Sequence, residues 1–489
     1  MPVAACTVAA SVGGIKAADR PSCAIGIGAW GAKTPGDSLL LGIPHIQLKP
    51  SACRRHGRCR GASMKESLYQ LGEKLINAML NKGASDVIAL PSNVEKSMIR
   101  FSNSKITVVQ SWNSTAIDLL TVFGRRRIIT RFENLSEDAI SRGIEKAVSE
   151  ASQMPEQEDA APPTGKRFAD RLEGEEIDLE RLRDIVSASI IASLKEGAER
   201  VAGVMTATTA RQCILSTTGA EGYDESSGYD LNVRAFGGGS YGQGMSCASR
   251  IASLEPERAG AAAGRIIRLS RTTVPWSAGK HDVCLSPIIG ANLAERLGNA
   301  FSAFSVETGM SCLANLLGKR ALSEGLNMVD DASDPRNLGS RGFDDEGQPT
   351  RCNRLVENGV ISTYLHNSST ARRFKASTTG NAGWIAPSPW NLSVGAGRIS
   401  EGELLEELGR GIMVVSNWYT RFQNYGTGDF STICRDGTFL VEEGEVKGSI
   451  KGVRISDNLI RIFNSIRGTG AGRQWVHWWE VHTPVLMPS

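Results

Sequence analysis

The stretch Gly342-Phe343-Asp344-Asp345-Glu346-Gly347-Gln348-Pro349-Thr350 decides the fold prediction, together with Val356-Glu357-Asn358-Gly359-Val360 downstream of it. The Asn-Gly pair lies between two alternating apolar runs and supplies both positive-φ positions of a type I′ turn, so residues 352–365 are predicted to form a β-hairpin. Three adjacent acidic residues precede the proline. Neighbouring side chains cannot converge on one reacting atom, so these residues predict a turn capped by carboxylates. An extended peptide can add a strand to the edge of such a hairpin.

The sequence on both sides of this stretch predicts an α+β fold. From residue 275 to residue 489, short alternating runs separated by turn residues predict a large, mostly antiparallel sheet or half-barrel, with a helix over about 288–304. Residues 64–152 begin with leucines at helical spacing and continue with strand signals and a second helix, which predicts an N-terminal α+β domain. Residues 153–274 begin as a proline-rich linker and continue as a middle domain whose helix-strand order echoes the preceding domain and hints at a duplication.

Residues 1–63 differ from the rest of the chain. They are rich in Gly, Ala and Ser and carry eight Lys or Arg against two Asp. Without a sustained apolar period they predict a disordered extension, or sequence upstream of a true start at Met64. Cys53, His56 and Cys59 lie close together in this segment, but a zinc site would need a fourth ligand.

Composition limits the class of protein. The 489 residues include 53 Gly and 22% charged residues, as expected of a soluble globular protein. No stretch offers the roughly 18 apolar residues of a membrane span. Beyond residue 63 the chain carries 47 basic and 50 acidic residues, and this balance argues against a nucleic-acid partner. Ten scattered cysteines in a long chain indicate reduced thiols and a cytoplasmic location.

A series of short motifs runs through the second half of the chain. It comprises Gly339-Ser340, Phe343-Asp344-Asp345-Glu346-Gly347, Glu357-Asn358-Gly359-Val360, Ala371-Arg372, Thr379-Gly380-Asn381-Ala382-Gly383, Tyr425-Gly426-Thr427-Gly428-Asp429-Phe430-Ser431, Val441-Glu442-Glu443-Gly444-Glu445 and Lys451-Gly452-Val453-Arg454-Ile455-Ser456-Asp457-Asn458-Leu459. The series resembles the TldD/TldE (PmbA) metalloproteases, once described as modulators of DNA gyrase, and the resemblance extends over about residues 64–489. It implies a TldD/PmbA-like fold and a part in proteolysis. It also marks candidate cavity or peptide-edge residues, namely Phe343, Asp344, Glu346, Gly347, Asn358, Gly359, Thr379, Gly380, Asn381, Gly428 and Asp429.

The zinc ligands of the family are missing from this sequence. Zinc-bearing members carry His-Glu-x-x-x-His on the helix that corresponds to residues 288–304, with Glu as general base. Here that helix contains Glu295 and no histidine, and the region near residues 472–476 lacks the cysteine ligand of those members. The resemblance therefore implies a TldE/PmbA-like branch with no zinc and no catalytic residue of its own. It implies a heterodimer with a TldD-like partner that holds zinc, acting on extended peptides.

Two alternatives stay open at the level of sequence. The chain could be a self-sufficient peptidase homodimer with an unrecognised site, or a non-enzymatic modulator related to DNA gyrase. None of the six histidines forms a His-x-x-x-His pair, and His477 and His482 flank an aromatic run instead. Whether the chain is itself an enzyme is therefore not decided by its motifs.

Overall fold

The computed structural model describes the strand Cys6–Ala10, called β1, and residues 63–489. The rest of residues 1–62 lies outside the described residues, including the candidate cluster of Cys53, His56 and Cys59. The predictions for that segment stay predictions.

The first half of the described chain contains two successive units of similar order. Each has a helix, a long antiparallel strand pair, a third strand and a closing helix. The first unit comprises α1 (Met64–Asn81), β2 (Asp86–Ser102), β3 (Lys105–Phe123), β4 (Arg126–Phe132) and α2 (Glu137–Ala151). The second follows the short β5 (Arg171–Leu172) and comprises α3 (Leu179–Lys195), β6 (Arg200–Ser216), β7 (Glu221–Gly237), β8 (Ser240–Ala248) and α4 (Pro256–Leu269).

The two units are related by pseudo-twofold symmetry, and their strands form one seven-stranded sheet. The strand order is β4-β3-β2-β6-β7-β5, with β8 added on β7. The starts of β2 and β6 lie 114 positions apart, as do the starts of β4 and β8. β2 pairs with β6 antiparallel, and Glu95 lies opposite Thr209, which is also 114 positions away. The units on either side of the predicted boundary at residue 153 therefore share one sheet, because β2 of the first unit pairs with β6 of the second at its centre.

Alternate residues of β2 face two different apolar clusters. Val87 and Ala89 belong to a cluster with α1 and α2. Ile88 and Leu90 belong to another cluster, which includes Phe343 of the second half of the chain. Because successive side chains of a strand point to opposite faces, helices cover one face of the sheet here and the stretch around Phe343 covers the other.

The second half of the described chain forms two further sheets. Its strands are β9 (Gly279–His281), β10 (Val283–Leu285), β11 (Met328–Asp331), β12 (Cys352–Glu357), β13 (Val360–Ile361), β14 (Leu392–Val394), β15 (Gly411–Asn424), β16 (Asp429–Glu442), β17 (Glu445–Ser449), β18 (Val453–Asn458), β19 (Arg473–Trp478) and β20 (Val481–Pro488). Its helices are α5 (Pro287–Ala300), α6 (Ala303–Glu307), α7 (Ser368–Phe374), α8 (Glu401–Leu408) and α9 (Leu459–Asn464). One sheet has the order β10-β15-β16-β18-β1-β9 with β17 on β16, and the other has the order β13-β12-β11-β14-β20-β19.

Helix α5 lies in the core that these two sheets share. Ser286 caps its N-terminus and Pro287 occupies its first turn. Ten of its 14 residues are buried, and seven of these belong to one apolar cluster with residues of β11, β14, β15, β16 and β20. A helix buried this far must satisfy each of its polar side chains within the protein.

The fold-class prediction is confirmed: the chain is α+β, and the C-terminal region is a mostly antiparallel, curled half-barrel. Strands β12 and β13 form the predicted hairpin, with Asn358 and Gly359 both at positive φ. Two parallel pairs, β10 with β15 and β14 with β20, interrupt the antiparallel pattern. Of the helices in the described part, none is long and apolar enough to cross a membrane.

Three glycine-to-alanine variants test the hairpin turn. A Cβ at Gly359 would lie 2.3 Å from the carbonyl oxygen of Leu322 at a φ of +77°, so we expect Gly359→Ala to lower the free energy of unfolding by about 2–4 kcal/mol. Gly452 has a similar φ of +72° with open space around it, so Gly452→Ala should cost only about 1–2 kcal/mol.

Gly402 is the second control. It lies in α8 with open space at its Cβ position, so Gly402→Ala should raise stability by up to about 1 kcal/mol. Urea unfolding followed by circular dichroism measures all three variants. Equal effects at Gly359 and Gly452 would contradict the close approach at Leu322.

Candidate functional site

The acidic turn at residues 344–346 is buried and anchors two distant segments. The backbone N–H groups of Glu346 and Gln348 donate to Asp344 Oδ1 at 3.0 and 2.9 Å, and the N–H of Ala382 donates to Oδ2 at 3.0 Å. Asp344 is fully buried. Burial raises the pKa of its carboxyl to about 7, against the backbone donors that lower it.

Glu346 connects the same turn to the start of helix α7. Its carboxylate accepts the N–H of Ser368 at 2.8 Å and the hydroxyl of Ser368 at 2.7 Å. A carboxylate at a helix N-terminus is favoured by the helix dipole and by the free N–H groups there. Arg127 of β4 reaches the neighbouring Ser369 at 3.2 Å, which ties the N-terminal sheet to this turn. Burial raises the pKa of Glu346.

Asp330 and Asn381 form a second buried polar pair next to the turn. Asp330 Oδ1 accepts the N–H groups of Trp390 and Asn391 at 2.8 and 2.7 Å, and Oδ2 accepts the amide of Asn381 at 2.6 Å. Asn353 in turn donates to Asn381 at 2.9 Å. Burial raises the pKa of Asp330 to about 6, although these donors lower it.

The structure brings together only part of the predicted site set. Phe343, Asp344, Glu346, Gly347, Thr379, Gly380 and Asn381 lie in one loop layer against the N-terminal sheet. Gly347 would clash with Ala220, and Gly380 with the Pro349 carbonyl, if either carried a Cβ. Thr379 Oγ1 accepts the N–H of His366 at 2.8 Å. These contacts make the layer a set of structural anchors, because its carboxylates already accept the donors that a substrate or water would need.

The other predicted residues lie elsewhere. Asn358 and Gly359 form the hairpin turn, and the outer edge of β13 already pairs with residues 318–321, since Gly318 N–H donates to Ile361 O at 2.8 Å. An added peptide strand would have to displace that segment. Gly428 lies in the turn before β16 and Asp429 is the first residue of that strand, where its half-buried side chain accepts hydrogen bonds from Thr427 and Asn458. Among residues 63–489, the edge of β3 before Ile117 has no partner strand, because β4 pairs with β3 only from Ile117 onward.

Helix α5 presents a buried polar face that the motifs did not predict. The amide oxygen of Asn292 accepts Asn417 Nδ2 at 2.9 Å and Thr420 Oγ1 at 2.7 Å, and its amide nitrogen donates to the carbonyl of Glu480 at 2.7 Å. Glu295 is only 2% exposed. The signal for this face was present in sequence as polar residues three positions apart in an otherwise apolar helix.

Glu295 is held by the beginning of β20. Its Oε1 accepts the N–H groups of His482 and Thr483 at 2.8 and 2.7 Å. Its Oε2 is buried with no hydrogen-bond partner among the described residues. Arg296, one residue further along, lies 3.7 Å from the carboxylate of Glu480. An amide, a carboxylate engaged by two backbone N–H groups and a guanidinium do not fit a zinc ion, which takes imidazole, thiolate and carboxylate ligands.

A further cluster, of His477, Asp230 and Cys247, joins the two halves of the described chain. His477 Nδ1 lies 2.7 Å from Asp230 Oδ1, and the Cys247 thiol donates to the carbonyl of His477 at 3.3 Å. Burial raises the pKa of Cys247 well above its usual range, so the sulfur stays a thiol and is a poor nucleophile. Among residues 63–489, no group of three or more His, Cys, Asp or Glu is arranged to hold a metal ion.

Comparison with known proteins agrees with the predicted family. Residues 278–489 match the model of the PmbA/TldA metallopeptidase C-terminal domain. A metalloprotease of Methanocaldococcus jannaschii is 32% identical over 220 residues, which is 41% of this chain and 45% of that protein. Metalloprotease PmbA of Escherichia coli O157:H7 is 30% identical over 224 residues, covering 44% and 46%. The matched region thus spans about half the length of these relatives.

The solved structure of TldE from Thermococcus kodakarensis shares the fold of this chain. It superposes with a TM-score of 0.75 at 18% identity, covering 86% of this chain and 97% of that one. The half-barrel around α5 is therefore a fold that this chain shares with TldE, and residues 278–489 match a PmbA/TldD-type C-terminal domain. The predicted resemblance is confirmed for this C-terminal region.

The buried carboxyls of the loop layer predict a pH dependence of stability. The pKa values of Asp344 and Asp330 are raised above the ordinary value of 3.8 to about 7 and about 6. Their contribution is fully present below about pH 4 and is lost as the pH rises through 6 and 7, because the unfolded chain then releases the proton more readily. We therefore expect the free energy of unfolding to fall between pH 4 and 7.

The variant Asp344→Asn tests this dependence. It removes one titrating carboxyl, so the fall between pH 4 and 7 should become shallower. It also loses the acceptor for Ala382, which should cost about 1–3 kcal/mol. The hydrogen bonds from Thr427 and Asn458 lower the pKa of Asp429 below its ordinary value, so Asp429→Asn should leave the slope above pH 4 unchanged. An unchanged slope in Asp344→Asn, from urea titrations across this range, would contradict the assignment.

Proposed function

We propose that this chain is a TldE/PmbA-like subunit of a two-subunit metalloprotease, with no zinc of its own. In this proposal it pairs with a homologous TldD-like partner that holds zinc. The observation that carries the proposal is the polar face of α5. On the helix that bears the zinc motif in the resembling proteases, Asn292, Glu295 and Arg296 serve internal hydrogen bonds and an ion pair.

Glu295 could be mistaken for the general base of the family motif. A general base must reach the water whose proton it takes. Here Oε1 of Glu295 accepts two backbone N–H groups and the side chain is almost fully buried. Its role in this proposal is to hold the start of β20 against α5.

The partner and the substrate complete the proposal. The partner would supply zinc and the activated water, while this chain would supply cavity wall and sheet edge for an extended, unfolded peptide. The open edge of β3 before Ile117 offers unpaired backbone groups for such a peptide. A cytoplasmic location belongs to the same proposal, and the unpaired cysteines of the described region suit it.

Zinc content and hydrolysis test the division of labour. The full chain, purified alone and treated with zinc, should bind well under one zinc per chain by plasma mass spectrometry and should leave an unstructured peptide uncut. Adding the TldD-like homologue from the same genome should produce hydrolysis that a chelator abolishes. Chelator-sensitive hydrolysis by this chain alone would support a self-sufficient peptidase and sink the proposal.

Two variants separate a structural Glu295 from a catalytic one. Glu295→Gln keeps an acceptor for the N–H groups of His482 and Thr483, so hydrolysis by the complex should change by less than about threefold. A general base would lose about 10²–10⁴ in rate. Glu295→Ala removes the acceptor, so we expect it to lower the free energy of unfolding by about 1–3 kcal/mol. A large loss of rate in a stably folded Glu295→Gln variant would refute the structural role.

A further inference from the structure

A bulge in strand β15 holds one residue in a strained conformation. Trp418 lies opposite Ile433 of β16 and Arg421 lies opposite Ser431, so β15 has one extra residue in this interval. Tyr419, within the bulge, has a φ of +56°. For a bulky side chain this is a costly conformation that persists only where its surroundings enforce it.

The surroundings that enforce this conformation belong to the buried polar network of α5. The N–H groups of Tyr419 and Thr420 both point to the carboxylate of Glu480, at 3.3 and 3.4 Å. The hydroxyl of Thr420 donates to Asn292 of α5. Arg296 lies 3.7 Å from the same carboxylate of Glu480 and pairs with its charge. Three hydrogen bonds therefore fix the bulge to the core, two from backbone N–H groups to Glu480 and one from the Thr420 hydroxyl to Asn292.

Three aromatic rings lie together at the bulge, and two of them are exposed. The rings of Trp418 and Trp479 stack with centroids 4.6 Å apart, and the ring of Tyr419 lies 5.2 Å from that of Trp418. Trp479 is 63% exposed and Tyr419 51% exposed. We call these three residues the aromatic cluster. Large exposed rings that are held rigid suit a binding surface, because little side-chain entropy is lost when a ligand stacks on them.

Arginine side chains share the face of the sheet on which Trp418 lies. Because of the extra residue in the bulge, Trp418 and Arg421 point to the same face of the sheet although they are three positions apart. Ile433 and Arg435 of β16 point to that face as well, since Ile433 lies opposite Trp418. Arg454 of β18 lies opposite Ile433 on the same face. We call Arg421, Arg435 and Arg454 the arginine face.

The charges of the arginine face are not neutralised within the described part of the chain. None of the three guanidinium groups lies in a salt bridge among residues 63–489. Two of them lie over aromatic rings instead, Arg421 at 5.2 Å from Tyr419 and Arg435 at 5.0 Å from Trp418. Asp429, at the far end of the same face, already accepts Thr427 and Asn458. The face therefore carries an excess of positive charge beside flat apolar rings.

We propose that the aromatic cluster and the arginine face form a binding site for an extended acidic peptide segment that carries an aromatic side chain between carboxylates. The aromatic side chain stacks on the exposed ring of Trp479, and the carboxylates pair with Arg421 and Arg435. This inference rests on the proposed function, since it names the class of peptide that the subunit would recognise. A guanidinium lying over a ring presents its N–H donors sideways in the fork geometry that carboxylates accept.

Single-stranded nucleic acid is the competing ligand for arginines beside exposed rings. An acidic peptide is favoured here because the chain beyond residue 63 carries 47 basic and 50 acidic residues, so the arginine face is not part of an overall basic chain. A nucleic-acid track would require a longer basic surface.

Fluorescence anisotropy with labelled synthetic peptides tests the site on the full chain alone. Three peptides share flexible Gly-Ser flanks and differ at the centre, which is Glu-Phe-Glu, Lys-Phe-Lys or Glu-Ala-Glu. We expect Glu-Phe-Glu to bind at least about tenfold more tightly than either of the others, and to weaken as salt is raised. Oligothymidylate of similar length is measured in parallel.

Variants locate the binding. Trp479→Ala and the double variant Arg421→Gln with Arg435→Gln should each weaken Glu-Phe-Glu binding by about tenfold. Tyr241→Ala is the matched control, because Tyr241 is also exposed and has a guanidinium, that of Arg234, 5.3 Å from its ring. It should leave binding unchanged. Circular dichroism confirms that each variant is folded.

Three outcomes overturn the inference: equal binding of the three peptides, unchanged binding in folded Trp479→Ala, or tighter binding of oligothymidylate that the same variants abolish. Because this assay needs neither zinc nor a partner, its outcome is independent of the proposed division of labour. Specific peptide binding with no hydrolysis by the complex would refute the proposed function alone. Hydrolysis by the complex without selective binding here would refute this inference alone.

Discussion

A carboxylate that leaves water must receive new hydrogen-bond donors, and the second half of this chain is organised by that requirement. Five buried carboxylates each point to backbone N–H groups of a segment distant in sequence. They are Glu295 to residues 482 and 483, Asp330 to 390 and 391, Asp344 to 382, Glu346 to 368, and Glu480 to 419 and 420. The anchored segments are two loops, the start of α7, the bulge of β15 and the start of β20, and replacing one of these carboxylates would leave its backbone donors unpaired.

Local sequence signals predicted the elements whose geometry is itself local. Asn358 and Gly359 predicted the hairpin because a type I′ turn needs two positive-φ residues in succession. The acidic turn was interpreted as capping, and Asp344 does cap the N–H groups of Glu346 and Gln348. Its third bond, to Ala382, depends on chain folding over many residues and has no local pattern. The same turn therefore serves a purpose that its spacing could not reveal.

The polar face of α5 and the bulge of β15 escaped prediction for the same reason. Asn292 looks like an ordinary helix residue, and only tertiary packing places it against Asn417 and Thr420. A positive φ is expected at glycine or asparagine, so the amino-acid sequence does not indicate that Tyr419 has one. The sequence analysis did not anticipate the central pairing of β2 with β6 across the predicted boundary, because this pairing joins residues more than 100 positions apart. Periodicity predicts a strand but not its neighbour.

The network around α5 links the two proposals physically. If the helix does not hold zinc, its buried polar residues need other partners, and here they find them in β15 and in the turn before β20. Asn292 accepts the Thr420 hydroxyl, Arg296 balances Glu480, and Glu480 fixes the strained backbone at Tyr419. The hydrogen bonds that satisfy the polar side chains of α5 therefore also help to fix the bulge at Tyr419, beside the aromatic cluster. The polar side chains of α5 thus act on the surface at Tyr419 through Glu480 and Thr420. Under the proposed function, this is how a helix without zinc would still influence which peptide reaches the zinc-bearing partner.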